Sequence, residues 1–321
     1  MSRQQERVAW WALLAPSASS DPLPGIVLLS HDAGRVLDAS YRFGSVTLRP
    51  ADRQIIEYVP SRSVGGWAEL VSWPVIVEGE SSAESVENRW TVAALAGPQV
   101  HLAAAMLSLA WGEAWTVRVT PTPTASVPPQ VPELPSPSPW PDRNPQIGLR
   151  DPSALPPWFG RAWTRLDEAT GDPLASALTA WHQGLLLFTM HPSMALVAFV
   201  AAVESIASSK DLAGDMPPPP EPCAECGNIP AAAARFWAAV DLVAGEDDQR
   251  ELRQSNVYGL RSATGHRGAV HGFENRFGAH VTMPLTETDE AGRFVGDTLQ
   301  RVARIGRALL VRAMAGVPQR S

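Results

Sequence analysis

Lysine is almost missing from this chain: of 26 basic residues in 321, only Lys210 is not arginine. Together with the wealth of alanine and proline, this reads as the bias of a GC-rich genome, so arginine counts alone carry little functional weight. Cysteine is nearly as scarce. Cys223 and Cys226 are the whole supply, which rules out a disulfide framework and makes a reducing cytoplasm the expected location. No apolar run approaches the ~20 residues of a membrane span. The longest is residues 194–203, closed by Glu204, so no membrane partner is expected. Residues 8–15 are apolar and follow Arg3 and Arg7. The run is short, Glu6 sits where a signal peptide is basic, and no small-residue cleavage site follows, so it reads as a first strand. A formal net charge of −7 excludes a broad basic coat for nucleic acid but leaves room for a local basic cleft. No internal repeat is present.

What remains is an ordinary globular balance, 45% hydrophobic and 18% charged, in a chain long enough for two cores. From residue 8 to about 119, short runs such as 25–30, 45–48, 54–59 and 90–93 lie between Gly, Pro, Asp and Ser, which is strand and turn chemistry. A helix is expected at 100–109, before a last strand at 115–119. Trp10, Trp67, Trp73, Trp90 and Trp115 fall in the strand-like runs and read as core. Residues 121–157 hold 13 of the 30 prolines and almost no periodicity. They read as an extended spacer, or as a proline-rich ligand for a partner's aromatic groove.

After residue 157 the period becomes helical. Helices are expected at 158–169 and 173–187, and then from Pro192, which suits a first turn. That third helix carries Leu196, Val197, Phe199, Val200, Val203 and Ile206 around most of its circumference, as a central bundle helix does. Pro230 opens another helix, 246–263 reads as one more, and 294–313 as the last. The expected architecture is α+β, with three parts: a β-rich domain at 1–120, a linker at 121–157 and an all-α bundle at 158–316.

The informative stretch runs from Tyr258 to Glu274 and packs Arg261, His266, Arg267 and His271 into eleven residues. Arginine binds phosphate as a permanent, two-pronged cation, and histidine moves protons near neutral pH. Together they can cleave RNA without a metal, histidine assisting the ribose 2′-hydroxyl while arginine stabilises the phosphorane. The competing reading is a solvated helix end, with cations favoured by the dipole and Gly265 and Gly268 as terminators. On an ideal helix Arg261 and His266 lie roughly 140° apart, while Arg267 and His271 share a face. Glu204, costly to bury alone, is either paired with Arg261 or exposed at a frayed helix end. Cys223 and Cys226 have zinc-knuckle spacing, but zinc needs four ligands. A half-lost zinc knuckle or an inert turn is expected, with no metal and no cofactor, unless two subunits share their pairs or a histidine completes the set. Residues 250–312 hold ten arginines and six acids, a local net of +4, which weakly favours an RNA-contacting surface.

Tyr258, Arg261, Ser262, His266 and Gly268 resemble the signature of the Apea-like branch of the HEPN superfamily, with one extra residue between Ser262 and His266 relative to the shortest family versions. His271, Gly272 and Glu274 match a second His-Gly and Glu found in many relatives. Upstream, Val203-Glu204-Ser205, the Cys223/Cys226/Gly227 element and Arg235-Phe236-Trp237 follow in the family's order. The resemblance covers roughly residues 158–313. It implies a helical domain in which Arg261 and His266 are catalytic, supported by Glu204, Tyr258, Ser262 and His271. It also implies a homodimer in which two motifs meet at the interface. The expected function is that of a metal-independent endoribonuclease or RNA-binding effector of prokaryotic defence or toxin systems. Its alternative is a silent HEPN-like domain for dimerisation or nucleotide binding, since active relatives often have Asn, Asp or His where Ser262 stands. A zinc-dependent enzyme is a third class, short of ligands.

Overall fold

The computed structural model of the chain describes residues 6–16, 33–52, 55–61, 66–83, 89–124, 149–168, 171–188, 191–212, 214–217, 231–272 and 293–316. It is α+β and divides into two compact units, residues 1–167 and 168–321. The strand expected at 25–30, Cys223, Cys226 and Glu274 lie outside the described residues, as does 125–148 of the expected linker.

The first unit is built on an antiparallel sheet of β1 (Glu6–Pro16), β3 (Tyr41–Phe43), β4 (Val46–Pro50), β7 (Val75–Ala83) and β8 (Trp115–Pro123), in the order β3-β4-β7-β1-β8. The sheet is buried on both sides at its centre. Leu13, Ala15, Ile76 and Ala51 form one cluster, while Ala12 and Leu14, pointing the other way from β1, are also fully buried. Trp10 lies opposite Gly79 in the ladder, and a Cβ on Gly79 would come within 2.5 Å of the indole. The glycine is what lets the ring lie flat across β7. Strands β5 (Ile55–Ser61) and β6 (Gly66–Ser72) form an antiparallel pair.

Three expectations change here. Residues 90–93, expected as a strand, belong to helix α1 (Arg89–Trp111). Thr91 and Val92 look strand-like, but the alanines that follow carry the helix back through them and past Pro98. This helix is also long and apolar enough to cross a membrane, a run the sequence does not display as unbroken; 56% of that stretch is buried within the unit, as in a core helix. The expected linker contains ordered backbone: β9 (Leu149–Ser153) pairs in parallel with β2 (Ala33–Leu37). Helix α2 (Phe159–Glu168), expected to open the C-terminal bundle, belongs to the first unit. Its Phe159 tilts against Phe43 of β3 and its Trp163 stacks on the same ring, with centroids 5.3 and 5.4 Å apart.

The second unit is helical: α3 (Pro173–Leu187), α4 (Pro192–Ala207), α5 (Ala231–Val243), α6 (Glu246–Gln254), α7 (Val257–Arg267) and α8 (Gln300–Ala315), the last preceded by a π-turn at Phe294–Leu299. Asp172 caps α3, accepting from the Leu174 N–H at 2.8 Å, with Pro173 in the first turn. Helix α4 is central and packs against α3, α5, α7 and α8, its Leu196, Phe199, Val200, Val203 and Ile206 essentially sealed from water. The fully buried indole of Trp181 on α3 donates to the Ala303 carbonyl at 2.9 Å, joining α3 to α8. The single helix expected at 246–263 is two. Asn256 takes φ +50°, a left-handed conformation that asparagine tolerates better than most residues, and ends α6 there. The break turns α7 back against α4 and so positions the site.

Candidate functional site

Tyr258 and Arg261 are three apart at the start of α7, hence on one face, and that face meets the last turn of α4. Glu204 receives both. The Tyr258 hydroxyl donates to Oε1 at 2.7 Å, and Nη2 of Arg261 donates to Oε2 at 3.1 Å. The pair is half sheltered, with side chains 26% and 19% exposed. The Arg261 guanidinium also lies 5.8 Å from the centre of the Tyr258 ring, which leans on Phe236 of α5. Burial first, then the hydrogen bond to Glu204 and its charge, push the Tyr258 phenol up to about 12, against a smaller lowering by Arg261. Tyr258 is therefore a donor throughout the physiological range, and Glu204 is held by two donors rather than one. Of the two readings of Glu204, the paired one is the structure's.

The guanidinium is not saturated. Nη2 contacts Glu204 through a single oxygen, and Nε is buried without a hydrogen-bond partner among the described residues. An arginine has five N–H donors, so Arg261 keeps donors for an anion. Ser262 beside it is half-buried.

His266 is not brought to this cluster. Helix α7 continues as α-helix through Gly265 and ends at Gly268, whose φ of +64° is the left-handed cap. Gly265 therefore neither terminates nor kinks the helix, and the five-residue separation places His266 roughly 140° around from Arg261. His266 and Arg267 are exposed in the last turn, where cations complement the dipole. His271 lies past the cap, so it does not share a helical face with Arg267. Its N–H donates to the buried Ser193 hydroxyl at 2.7 Å, and its ring tilts against Phe294 at 5.6 Å. Its Nε2 is buried without a partner among the described residues.

Two further features were not read from the sequence. The first is a cavity of about 570 Å³ beside His271, lined by residues of α6, α7 and the π-turn, among them Glu251, Leu260, Phe294 and Asp297. Only folding brings these residues together, and no motif announces them. The second concerns charge. Six of the ten arginines in 250–312 are paired with carboxylates outside that window: Arg250 with Asp247, Arg253 with Asp241, Arg261 with Glu204, Arg301 and Arg304 with Asp248, and Arg312 with Asp215. Among the described residues, much of the local surplus of +4 is thus met by carboxylates within the fold. Among the described residues, no cluster of His, Cys, Asp and Glu is placed to hold a metal ion.

Comparison with family models, with characterised proteins and with solved structures finds no match to this chain.

Proposed function

We propose that the second unit is a HEPN-like domain that binds RNA and cleaves it without a metal, in a site composed from two copies of the chain. The observation that carries this reading is the state of Arg261: oriented by Glu204 and Tyr258, partly exposed, and with donors unspent. His266 is presented separately on an exposed face of the same helix. One chain thus offers both halves of the chemistry without joining them, which is the arrangement a homodimer completes. In such a site His266 takes the proton of a ribose 2′-hydroxyl and the oxygen attacks phosphorus. The 5′-oxygen leaves with a proton from the imidazolium or water, giving a 2′,3′-cyclic phosphate and a 5′-hydroxyl. Arg261 binds the phosphate and stabilises its developing charge. Ser262 and His271 act in support. The defence or toxin setting and the cytoplasmic location follow from the resemblance and from the scarcity of cysteine.

A second reading has its own observation. The Arg261 charge is already met by Glu204, and most neighbouring arginines are paired. A silent dimerisation domain needs no more than that. Labelled RNA incubated in chelator with the wild type and with His266→Ala separates the two.

A further inference from the structure

Of the arginines in 250–312, all but Arg276 are described. Six of them are held by carboxylates, and Arg293 and Arg307 have contacts of their own. Arg267 stands apart. It is exposed and, among the described residues, makes no hydrogen bond, ion pair or ring contact. Nothing in the proposed cleavage step uses it. Its place at the end of α7 does not account for it either. The Gly268 N–H donates to the Thr264 carbonyl at 3.0 Å and the Ala269 N–H to the Ala263 carbonyl at 3.3 Å. The left-handed glycine cap thus meets carbonyls that a basic side chain satisfies at other helix ends. Attraction to the helix dipole remains, and any basic residue supplies it. What marks the position is its neighbour. His266 is also exposed in this last turn, with its Cα about 3.8 Å away and its side chain roughly 100° around the axis.

We infer that Arg267 binds the phosphate immediately 5′ of the ribose whose hydroxyl attacks, an inference that rests on the RNA reading above. In that reading His266 takes the 2′-hydroxyl proton, so the ribose lies within hydrogen-bond reach of the imidazole. A ribose inside a strand stands between two phosphates. The scissile one, on its 3′ side, is bound by Arg261. The one on its 5′ side does not react, and the residue next to His266 carries a permanent cation whose two-pronged donors are unspent. Such a contact is the same before and during the reaction. It therefore acts on KM and leaves kcat alone. The site then prefers linkages inside a strand, because a terminal ribose with a free 5′-hydroxyl offers Arg267 nothing to hold.

The test uses the full chain and dinucleotides covering every base combination, each with no terminal phosphate, a 5′-phosphate or a 3′-phosphate. The two phosphorylated forms match in charge and differ only in the side on which it lies. In the wild type the 5′-phosphate should lower KM by about tenfold at unchanged kcat, while the 3′-phosphate should not. Arg267→Ala and Arg267→Gln should erase that preference, and Arg267→Lys should keep part of it. His266→Ala, which does not cut, should still bind the 5′-phosphorylated form about tenfold more tightly than the unphosphorylated one. Arg267 is exposed, so its variants should unfold at the wild-type midpoint, which a structural role would shift. Cleavage with no 5′-phosphate preference, an equal gain from the 3′-phosphate, or a preference that survives Arg267→Ala overturns the inference and leaves the cleavage reading standing. A 5′-phosphate preference in binding that depends on Arg267, in a chain that never cuts, sustains the contact and removes the cleavage reading. A wild type that neither binds nor cuts removes both.

Discussion

Glu204 on α4 and Arg261 on α7 meet at 3.1 Å, 57 positions apart in sequence, with the second Glu204 oxygen occupied by the Tyr258 hydroxyl. The pair fixes how α7 crosses the central helix and which way Arg261 presents its remaining donors. Removing either member leaves the other partly buried and uncompensated. Glu204→Ala and Arg261→Ala should each lower unfolding stability by about 1–3 kcal/mol, between the values for exposed and buried pairs. The double substitution should cost clearly less than the two singles added together. Denaturant unfolding of the four proteins measures this, and strict additivity would dissolve the pair as an energetic unit.

Tyr258 gives a pH signature. Its phenol is raised from 10.0 to about 12 in the folded chain, so the folded state holds the proton more tightly than the unfolded one. The stabilising contribution is complete below pH 10 and is lost as pH climbs from about 10 to about 12. Tyr258→Phe should cost about 1 kcal/mol at neutral pH and flatten that part of the stability–pH curve. A variant whose alkaline curve overlays the wild type would show that Tyr258 titrates normally.

Packing between α3 and α4 depends on one missing methyl group. A Cβ at Gly184 would sit 2.5 Å from the Phe199 ring, which is itself fully buried. Gly184→Ala improves helix propensity by about 1 kcal/mol, yet the ring has nowhere to go in a full core. The net effect should be destabilisation by about 1–3 kcal/mol, seen as a lowered unfolding midpoint. A more stable variant would mean that the two helices sit farther apart.

The proposed composite site predicts complementation. Arg261→Ala chains and His266→Ala chains should each be inactive, while a mixture that exchanges subunits should regain roughly a quarter of wild-type cleavage, because half the dimers are mixed and each mixed dimer has one intact site of two. If the mixture stays dead while sedimentation shows mixed dimers, Arg261 and His266 do not act across subunits.

How much of this was legible beforehand depends on what each signal measures. Pro192 and the apolar surround of residues 194–206 announced a central helix correctly, because burial on all sides leaves a compositional trace. The cost of an unpaired carboxylate on such a helix names Arg261 as a partner for Glu204, but an exposed, frayed helix end is an equal reading of the same residues, and only the fold decides for the pair. Residues 90–93 misled because β-branched residues mark a preference, and the alanine-rich sequence beyond them outweighed it. The break at Asn256 carried no proline, and a left-handed asparagine has no counterpart in periodicity. The arginine surplus failed for another reason: a sequence window counts charges but cannot see that Asp215, Asp241 and Asp248 fold back onto it. The His271 cavity is tertiary throughout.

The central claim is metal-free RNA cleavage by Arg261 and His266, and one measurement addresses it most directly. Labelled single-stranded RNA is incubated in EDTA with wild type, His266→Ala, Arg261→Ala and His271→Ala, and both binding and products are followed. The account predicts cleavage by the wild type with 2′,3′-cyclic phosphate ends and reduced but present cleavage by His271→Ala. His266→Ala should bind RNA without cutting it, and Arg261→Ala should lose both. Cleavage by His266→Ala at the wild-type rate, or a wild type that neither binds nor cuts RNA, would contradict it.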